Sequence, residues 1–343
     1  MRGAVDLSRL NTLHVPARAD RLLRLEHPDQ LTALSFDAER DLVLGDGSNV
    51  LLAGDVPGTV ILNRIAGRRL LDDGTEHAEV HVGAGEDWHE VVRWSVDLGL
   101  SGLENLSLIP GRCGAAPMQN IGAYGVELAD HLLAVDAWDW HTRKAVRFER
   151  EDCGFAYRDS RFKSDTPNRY LITGLLLRLD RRFRPRLDYA GLRETLADAG
   201  VVSPTARDVS DAVVRLRRRK LPDPAEIGNA GSFFKNPLLD RHAAERLRRD
   251  WPDLPLYPAS GGSAKASAAW MIERCGWKGE RRGDAGISAR HALVLVNHGR
   301  ATGDQLLALA REVRASVKDR FGVQLEPEPR IFDFRPLRPA PGH

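Results

Sequence analysis

Short apolar runs separated by glycine-rich turns dominate the first half of the chain. Leu42-Val43-Leu44, Val50-Leu51-Leu52, Thr59-Val60-Ile61-Leu62 and Val80-His81-Val82 are each followed closely by Gly or Asn, and they predict strands. Between them, residues 28–40 and 86–98 show helical spacing. The second stretch has an acidic first turn and sets Trp88, Val91, Val92, Ser95 and Val96 on one face. Strand-like runs resume at 132–138 and 170–179. Further on, the spacing predicts helices over 191–199, 209–219, 264–275 and 304–321, with one strand at Leu293-Val294-Leu295-Val296. Helices and strands are interspersed, so the expected class is α+β. A first region is expected over 10–184, in two parts of roughly 10–70 and 71–184. A connecting insertion containing Pro185 and Pro204 follows at 185–204, then a second region at 205–334 and a frayed tail at 336–343.

The 343 residues are 42% hydrophobic and 29% charged, a mixture that excludes wholesale disorder and supplies cores for two domains without disulfides. The formal net charge of +2 argues against nucleic acid or an anionic membrane as partner. Only seven of the 50 basic residues are lysine, so arginine runs carry little information here. No apolar run approaches the ~18 residues of a membrane span, and the start lacks a signal-peptide core, so a cytoplasmic protein is expected. Cys113, Cys153 and Cys275 are few and far apart, which fits reduced thiols and argues against a zinc site or any other metal centre.

Three glycine-rich segments stand out. Gly45-Asp46-Gly47-Ser48-Asn49 lies between two predicted strands, where consecutive amides can face a phosphate, or where the chain simply turns in a hairpin. Val82-Gly83-Ala84-Gly85-Glu86-Asp87 precedes a helix and reads either as backbone near the same ligand or as a plain helix start. From Pro110 to Gly125 there are almost no bulky side chains, which suits the wall of a flat ligand or a glycine-rich crossover. Neither a dinucleotide-binding Gly-x-Gly-x-x-Gly opening a helix nor a P-loop is present, so Rossmann binding of nicotinamide and P-loop nucleotide hydrolysis lose support.

Several segments, in order, closely resemble the motifs of the UDP-N-acetylenolpyruvoylglucosamine reductase family, also called UDP-N-acetylmuramate dehydrogenases. They are Gly45-Asp46-Gly47-Ser48-Asn49, Ile109-Pro110-Gly111 with Gln119-Asn120-Ile121-Gly122-Ala123-Tyr124-Gly125, and Tyr157-Arg158-Asp159-Ser160. Asn229-Ala230-Gly231-Ser232-Phe233-Phe234-Lys235-Asn236-Pro237 and Leu325-Glu326-Pro327-Glu328 complete the set. The resemblance implies NADPH-dependent reduction of UDP-N-acetylenolpyruvoylglucosamine through non-covalent FAD, for bacterial peptidoglycan. It also implies a two-subdomain FAD-binding region of the vanillyl-alcohol oxidase type, a substrate-binding domain after it, and a monomer. FAD would be held by Gly45, Asp46, Gly47, Ser48 and Asn49, and by Pro110, Gly111, Gly114, Ala115, Gln119, Asn120, Gly122, Ala123, Tyr124 and Gly125.

By the same resemblance Arg158, Ser232 and Glu328 are catalytic, Lys220 and Asn236 bind substrate, and Tyr189 matches the substrate-covering tyrosine of the branch that carries this insertion. The residue types suit the chemistry. Hydride addition to an enolpyruvyl ether loads negative charge onto the neighbouring carboxylate, which a guanidinium can hold. Ser232 would protonate the adjacent carbon, and Glu328, if protonated, would donate a hydrogen bond. Apart from the family, Arg158 could merely pair with Asp159, Ser232 serve loop backbone, and Glu328 pair with Arg330. Two competing functions are a flavin oxidase of the same architecture and a non-catalytic nucleotide-sugar or flavin sensor. Leu13, Arg112, Cys113 and Met118 depart from the family pattern, the last three in the loop expected to face FAD.

Overall fold

Five antiparallel strands, in the order Lys144–Glu149, Leu132–Asp139, Tyr170–Asp180, His77–Gly83 and Arg68–Asp73, form the largest sheet of the computed structural model, which describes residues 4–335. Alternation drives its burial: Val80, Val82, Val135, Leu175, Leu177 and Leu179 point to one core and are fully inaccessible. Helix α1 (Trp88–Asp97) lays Trp88, Val91 and Val92 on the same core. It starts where the Asp87 carboxylate accepts from the Glu90 amide at 3.0 Å. A smaller core holds helices α2 (Leu192–Ala197) and α3 (Ala206–Lys220) around Leu192, Leu196, Val209, Val213 and Tyr124. Residues 185–204 thus share an apolar cluster with a residue of the glycine-rich loop.

These elements belong to one compact unit, comprising 20–46 and 58–219; the other comprises the chain up to Ala19, 47–57 and the chain from Lys220 onward. Strands Arg18–Leu25 and Val56–Asn63 each begin in one unit and end in the other. In the second unit, Gly228–Asn229, Leu295–Asn297, Ala285–Ile287 and Arg281–Arg282 make an antiparallel sheet. Helix α4 (Arg241–Asp250) and a three-stranded sheet of Leu238–Leu239, Ala264–Ala266 and Leu256–Pro258 follow the chain, with α5 (Ala268–Arg274) after them. Helix α6 (Gly303–Phe321) is capped by Thr302 and Gln305 and stops at Gly322, whose φ of 67° suits glycine. Val50–Leu52 pairs in parallel with Arg330–Phe332.

The α+β class holds, and most predicted elements are found with their ends within three residues. Three expectations change. The stretch 28–40 is only a 3-10 turn, Pro28–Ala33. Arg143 takes the Thr32 and Leu34 carbonyls at 2.6 and 3.0 Å, and Phe36 stacks on Trp140 at 5.2 Å, so tertiary contacts claim the groups a helix would use. The stretch 264–275 divides into strand Ala264–Ala266 and α5, because Ser267 accepts from the Trp270 amide at 3.2 Å and caps the helix there. The strand expected at 293–296 starts later, at Leu295. The tail 336–343 lies outside the described residues.

Candidate active site

The Gly45–Asn49 segment is not a hairpin. Leu42–Leu44 pairs with Val60–Leu62 of the strand Val56–Asn63 in the first unit, and Val50–Leu52 with Arg330–Phe332 in the second, so each flanking strand finds its partner elsewhere. Gly47 has φ 62°, and a Cβ there would lie 2.3 Å from the Leu10 carbonyl oxygen, so only glycine fits. The Gly47 carbonyl in turn accepts from the Thr12 amide at 3.1 Å.

In the first unit the two other glycine-rich loops are laced together by backbone. Trp88 N donates to Gly111 O at 3.0 Å, Cys113 N to Glu86 O at 2.9 Å, and Gly114 N to Ala84 O at 2.8 Å. Gly85 is obligatory, since its Cβ would fall 2.2 Å from the Arg64 carbonyl carbon. His89 on α1 adds a side-chain tie: its Nδ1 accepts from the Leu108 amide at 3.0 Å, next to Ile109-Pro110-Gly111. Burial lowers the His89 pKa, which favours the neutral ring that this bond needs.

The charge of Asp46 decides whether these loops can take the diphosphate of FAD. An unpaired carboxylate about 4 Å from a phosphate charge would cost ~4 kcal/mol at an effective dielectric of about 20. Here the Asp46 carboxylate is met by Arg112 Nε at 2.7 Å and Arg64 Nη2 at 3.1 Å, which leaves the trio with a surplus positive charge. Arg64 Nη1 also donates to Gly45 O, and Arg112 Nη1 to Gly85 O. The set therefore suits a diphosphate. Cys113 is fully buried and its thiol is pushed well up by desolvation, so it serves packing and not a covalent flavin link.

Arg158 sits at the tip of a tight turn, closed by Ala156 N to Asp159 O at 3.1 Å and the reciprocal bond at 3.2 Å. Its φ of 56° is uncommon for a side-chain-bearing residue and aims the guanidinium at the glycine-rich loop. Nη2 donates to Gly122 O at 2.5 Å, and a Cβ on Gly122 would stand 3.0 Å from Nη1. The Asp159 carboxylate accepts from Ser160 N and Ser164 Oγ, so local groups occupy it. Asn120, at φ 44°, is buried and donates to Glu127 Oε2 at 2.7 Å while accepting from Ala129 N at 3.0 Å. Tyr124, at φ 50° and with a phenol pKa raised by burial, meets Tyr189 edge to face at 4.7 Å. Tyr189 itself remains 45% exposed.

In the second unit Ser232 and Glu328 are brought together although their motifs are distant in sequence. The Glu328 amide donates to Phe233 O at 2.8 Å, and Phe234 bridges Pro327 in antiparallel fashion. The Ser232 hydroxyl makes no hydrogen bond among the described residues, so it does not serve the loop backbone. Gly231, at φ 67°, is fixed by its amide donating to Asn229 Oδ1 at 3.0 Å, while Asn229 Nδ2 reaches Pro222 O at 3.1 Å. That asparagine ties the Lys220-Leu221-Pro222 segment to the serine loop. Asn236 uses Oδ1 to accept from Ala268 N at 2.9 Å, which leaves its amide hydrogens as donors. Lys220 ends α3 and is exposed.

The motif residues therefore fall into two groups. Gly45, Asp46, the 110–125 loop, Arg158 and Tyr189 lie in the first unit, and Gly47, Ser48, Asn49, Lys220, Ser232, Asn236 and Glu328 in the second. Motif matching missed Arg64, which joins Arg112 on the Asp46 carboxylate, His89, which ties α1 to Leu108, and Asn105, whose amide donates to Tyr124 O at 2.8 Å. The polar pair Glu104-Asn105, set between Leu103 and Leu106, was the available signal for the last of these.

Comparison with known proteins adds an independent line. The family profile "UDP-N-acetylenolpyruvoylglucosamine reductase, C-terminal domain" matches residues 223–332, and "FAD binding domain" matches 20–147. The UDP-N-acetylenolpyruvoylglucosamine reductase of Xanthomonas euvesicatoria pv. vesicatoria is 52% identical over 331 residues, covering 95% of this chain and 94% of the relative. That of Pseudomonas aeruginosa is 51% identical over 326 residues, covering 94% and 96%. The crystal structure of the Thermus caldophilus enzyme superposes with a TM-score of 0.67 at 29% identity, covering 96% of this chain and 98% of that one.

Proposed function

Because the chain belongs to the UDP-N-acetylenolpyruvoylglucosamine reductase family, we propose that Arg158, Ser232 and Glu328 carry out its reaction. The protein is an FAD-dependent oxidoreductase that uses NADPH to reduce UDP-N-acetylenolpyruvoylglucosamine to UDP-N-acetylmuramate for peptidoglycan. One observation carries the residue assignment. Backbone pairing, with the Glu328 amide donating to Phe233 O and Phe234 bridging Pro327, brings together the segments that carry the serine and the glutamate.

FAD, when bound, supplies the hydride it has taken from NADPH. The Gly45–Asn49 segment and the loop Pro110, Gly111, Gly114, Ala115, Gln119, Asn120, Gly122, Ala123, Tyr124 and Gly125 would hold it. The Asp46, Arg64 and Arg112 trio supports the diphosphate and the Arg158 turn borders Gly122. Arg158 holds the substrate carboxylate and stabilises the charge that grows there. Ser232 delivers a proton to the carbon beside that carboxylate. Glu328 acts protonated, as a hydrogen-bond donor, since an ionised carboxylate would oppose the developing charge. Lys220, Asn236 and Tyr189 take the nucleotide-sugar, with Tyr189 covering it and excluding water.

The role of Glu328 separates two variants. Glu328→Gln keeps a neutral donor and is expected to retain kcat to within about tenfold, whereas Glu328→Ala loses ~10–100-fold, the cost of a hydrogen bond to a charged group. Equal losses in steady-state assays would remove simple donation from the mechanism.

An anaerobic titration tests the function as a whole. Protein reduced with one equivalent of NADPH and mixed with UDP-N-acetylenolpyruvoylglucosamine should regain the oxidised flavin band without oxygen. Recovery only on admission of air would mark an oxidase, and binding without turnover a sensor. A monomer in the cytoplasm belongs to the same proposal. The same proposal expects no nucleic-acid or membrane partner; among the described residues no helix is long and apolar enough to cross a membrane.

A further inference from the structure

Asn105 is a fully buried amide whose two donated hydrogen bonds go to two different loops. Its Nδ2 reaches Tyr124 O at 2.8 Å and Arg186 O at 2.9 Å. Tyr124 belongs to the loop assigned to FAD. Arg186 stands just ahead of Leu187-Asp188-Tyr189, the segment assigned to cover the substrate. Two carbonyl oxygens can be satisfied only by two hydrogens, so this face of the amide must be the NH2 group. Oδ1 is left buried without a hydrogen-bond partner, a cost that packing alone does not explain.

The support beneath the amide is stiff. Asn105 sits on the 3-10 turn Glu104–Leu106, all of it buried. The Trp88 indole donates to Leu106 O at 3.0 Å, and the Ser107 hydroxyl to Glu104 O at 2.7 Å. On the far side the Arg186 guanidinium pairs with Asp130 at 2.8 Å. A second contact runs parallel to the amide bridge, the edge-to-face pair of Tyr124 and Tyr189 at 4.7 Å. The cofactor loop and the base of the tyrosine segment are thus joined through one side chain on a fixed turn and through one pair of rings.

We infer that Asn105 is a positioning residue that couples occupancy of the flavin loop to the placement of the Tyr189 segment, so that FAD prepares the protein for its nucleotide-sugar. The inference rests on the assignment of Tyr124 to the cofactor and Tyr189 to the substrate. Linkage requires the effect to be reciprocal, with the nucleotide-sugar tightening FAD by the same factor.

The test measures calorimetric binding of UDP-N-acetylmuramate, the reaction product, to apo and FAD-loaded protein. In the unaltered chain FAD is expected to raise product affinity ~10-fold, within the usual range of such couplings. Asn105→Ala, and Asn105→Asp, which keeps the volume but sets carboxylate oxygens against both carbonyls, should bring the ratio near one. A Tyr189→Ala control should weaken product binding. Product affinity unchanged by Tyr189→Ala would overturn the covering role and the coupling with it. Weakened binding there, with the ratio intact in the Asn105 variants, would overturn the coupling alone. Should neither Asn105 variant fold, hydrogen exchange in the unaltered chain decides: FAD alone should slow exchange at 187–191, and no slowing would overturn the inference.

Discussion

Ser232→Ala should fold, bind FAD and lose about 10²–10⁴-fold in kcat, the usual contribution of a positioned proton donor. The structural ground is that this hydroxyl makes no hydrogen bond among the described residues, so its removal leaves no described partner unpaired. Gly231, held at φ 67° by Asn229, keeps the loop in place in the variant. Rapid-reaction spectroscopy separates the steps, because reduction by NADPH should be unaffected while oxidation by the enolpyruvyl substrate slows. Ser232→Cys retains a transferable proton and should fall between the two. If cysteine and alanine proved equally active, or if the loss lay wholly in NADPH oxidation, serine would have no place in proton delivery.

Arg158→Lys should also be severe, about 10²–10³-fold in kcat/KM, the range associated with removing one donor from a developing oxyanion. Lysine keeps the charge but gives up the planar fork and the reach that holds Nη2 on Gly122 O. It also leaves that carbonyl short of a donor, on a loop assigned to FAD. The measurement is therefore paired: steady-state kinetics with substrate, and FAD affinity by fluorescence. A large kinetic loss with FAD affinity changed by less than about threefold would place Arg158 on the substrate. A loss confined to FAD affinity would reassign it to holding the loop.

Much of this was legible in the sequence, for identifiable reasons. Leu42–Leu44 and Val50–Leu52 are bounded by glycine within two residues, and the strands end where the pattern does. The motif residues were legible as a set, yet their division between two units was not, because no local pattern reports that residues 47–57 fold with the chain beyond Lys220. The helix expected over 28–40 failed through Arg143, distant in sequence, whose grip on the Thr32 and Leu34 carbonyls no local window contains. An arginine-heavy composition likewise hides Arg64 and Arg112. Their significance comes from a shared carboxylate, Asp46, and not from arginine as a residue type. Asn105 is hidden for another reason: Glu104-Asn105 reads as an ordinary polar turn between Leu103 and Leu106, and no local pattern reports that its amide reaches Tyr124 and Arg186.

The parallel pairing of Val50–Leu52 with Arg330–Phe332 also sets an order of events in synthesis. As the ribosome extends the chain at about 5–20 residues per second, the early strand emerges without its partner and waits on the order of tens of seconds for it. Asn297 has the same relation to the amino-terminal segment, its Nδ2 donating to Leu13 O at 2.9 Å. The unit that holds the serine loop therefore cannot close until the last tenth of the chain is made. Meanwhile the five-stranded sheet, complete by Asp180, is free to form first. The 83–87 and 110–125 loops, assigned above to FAD, are then made before the segment that carries Ser232 exists.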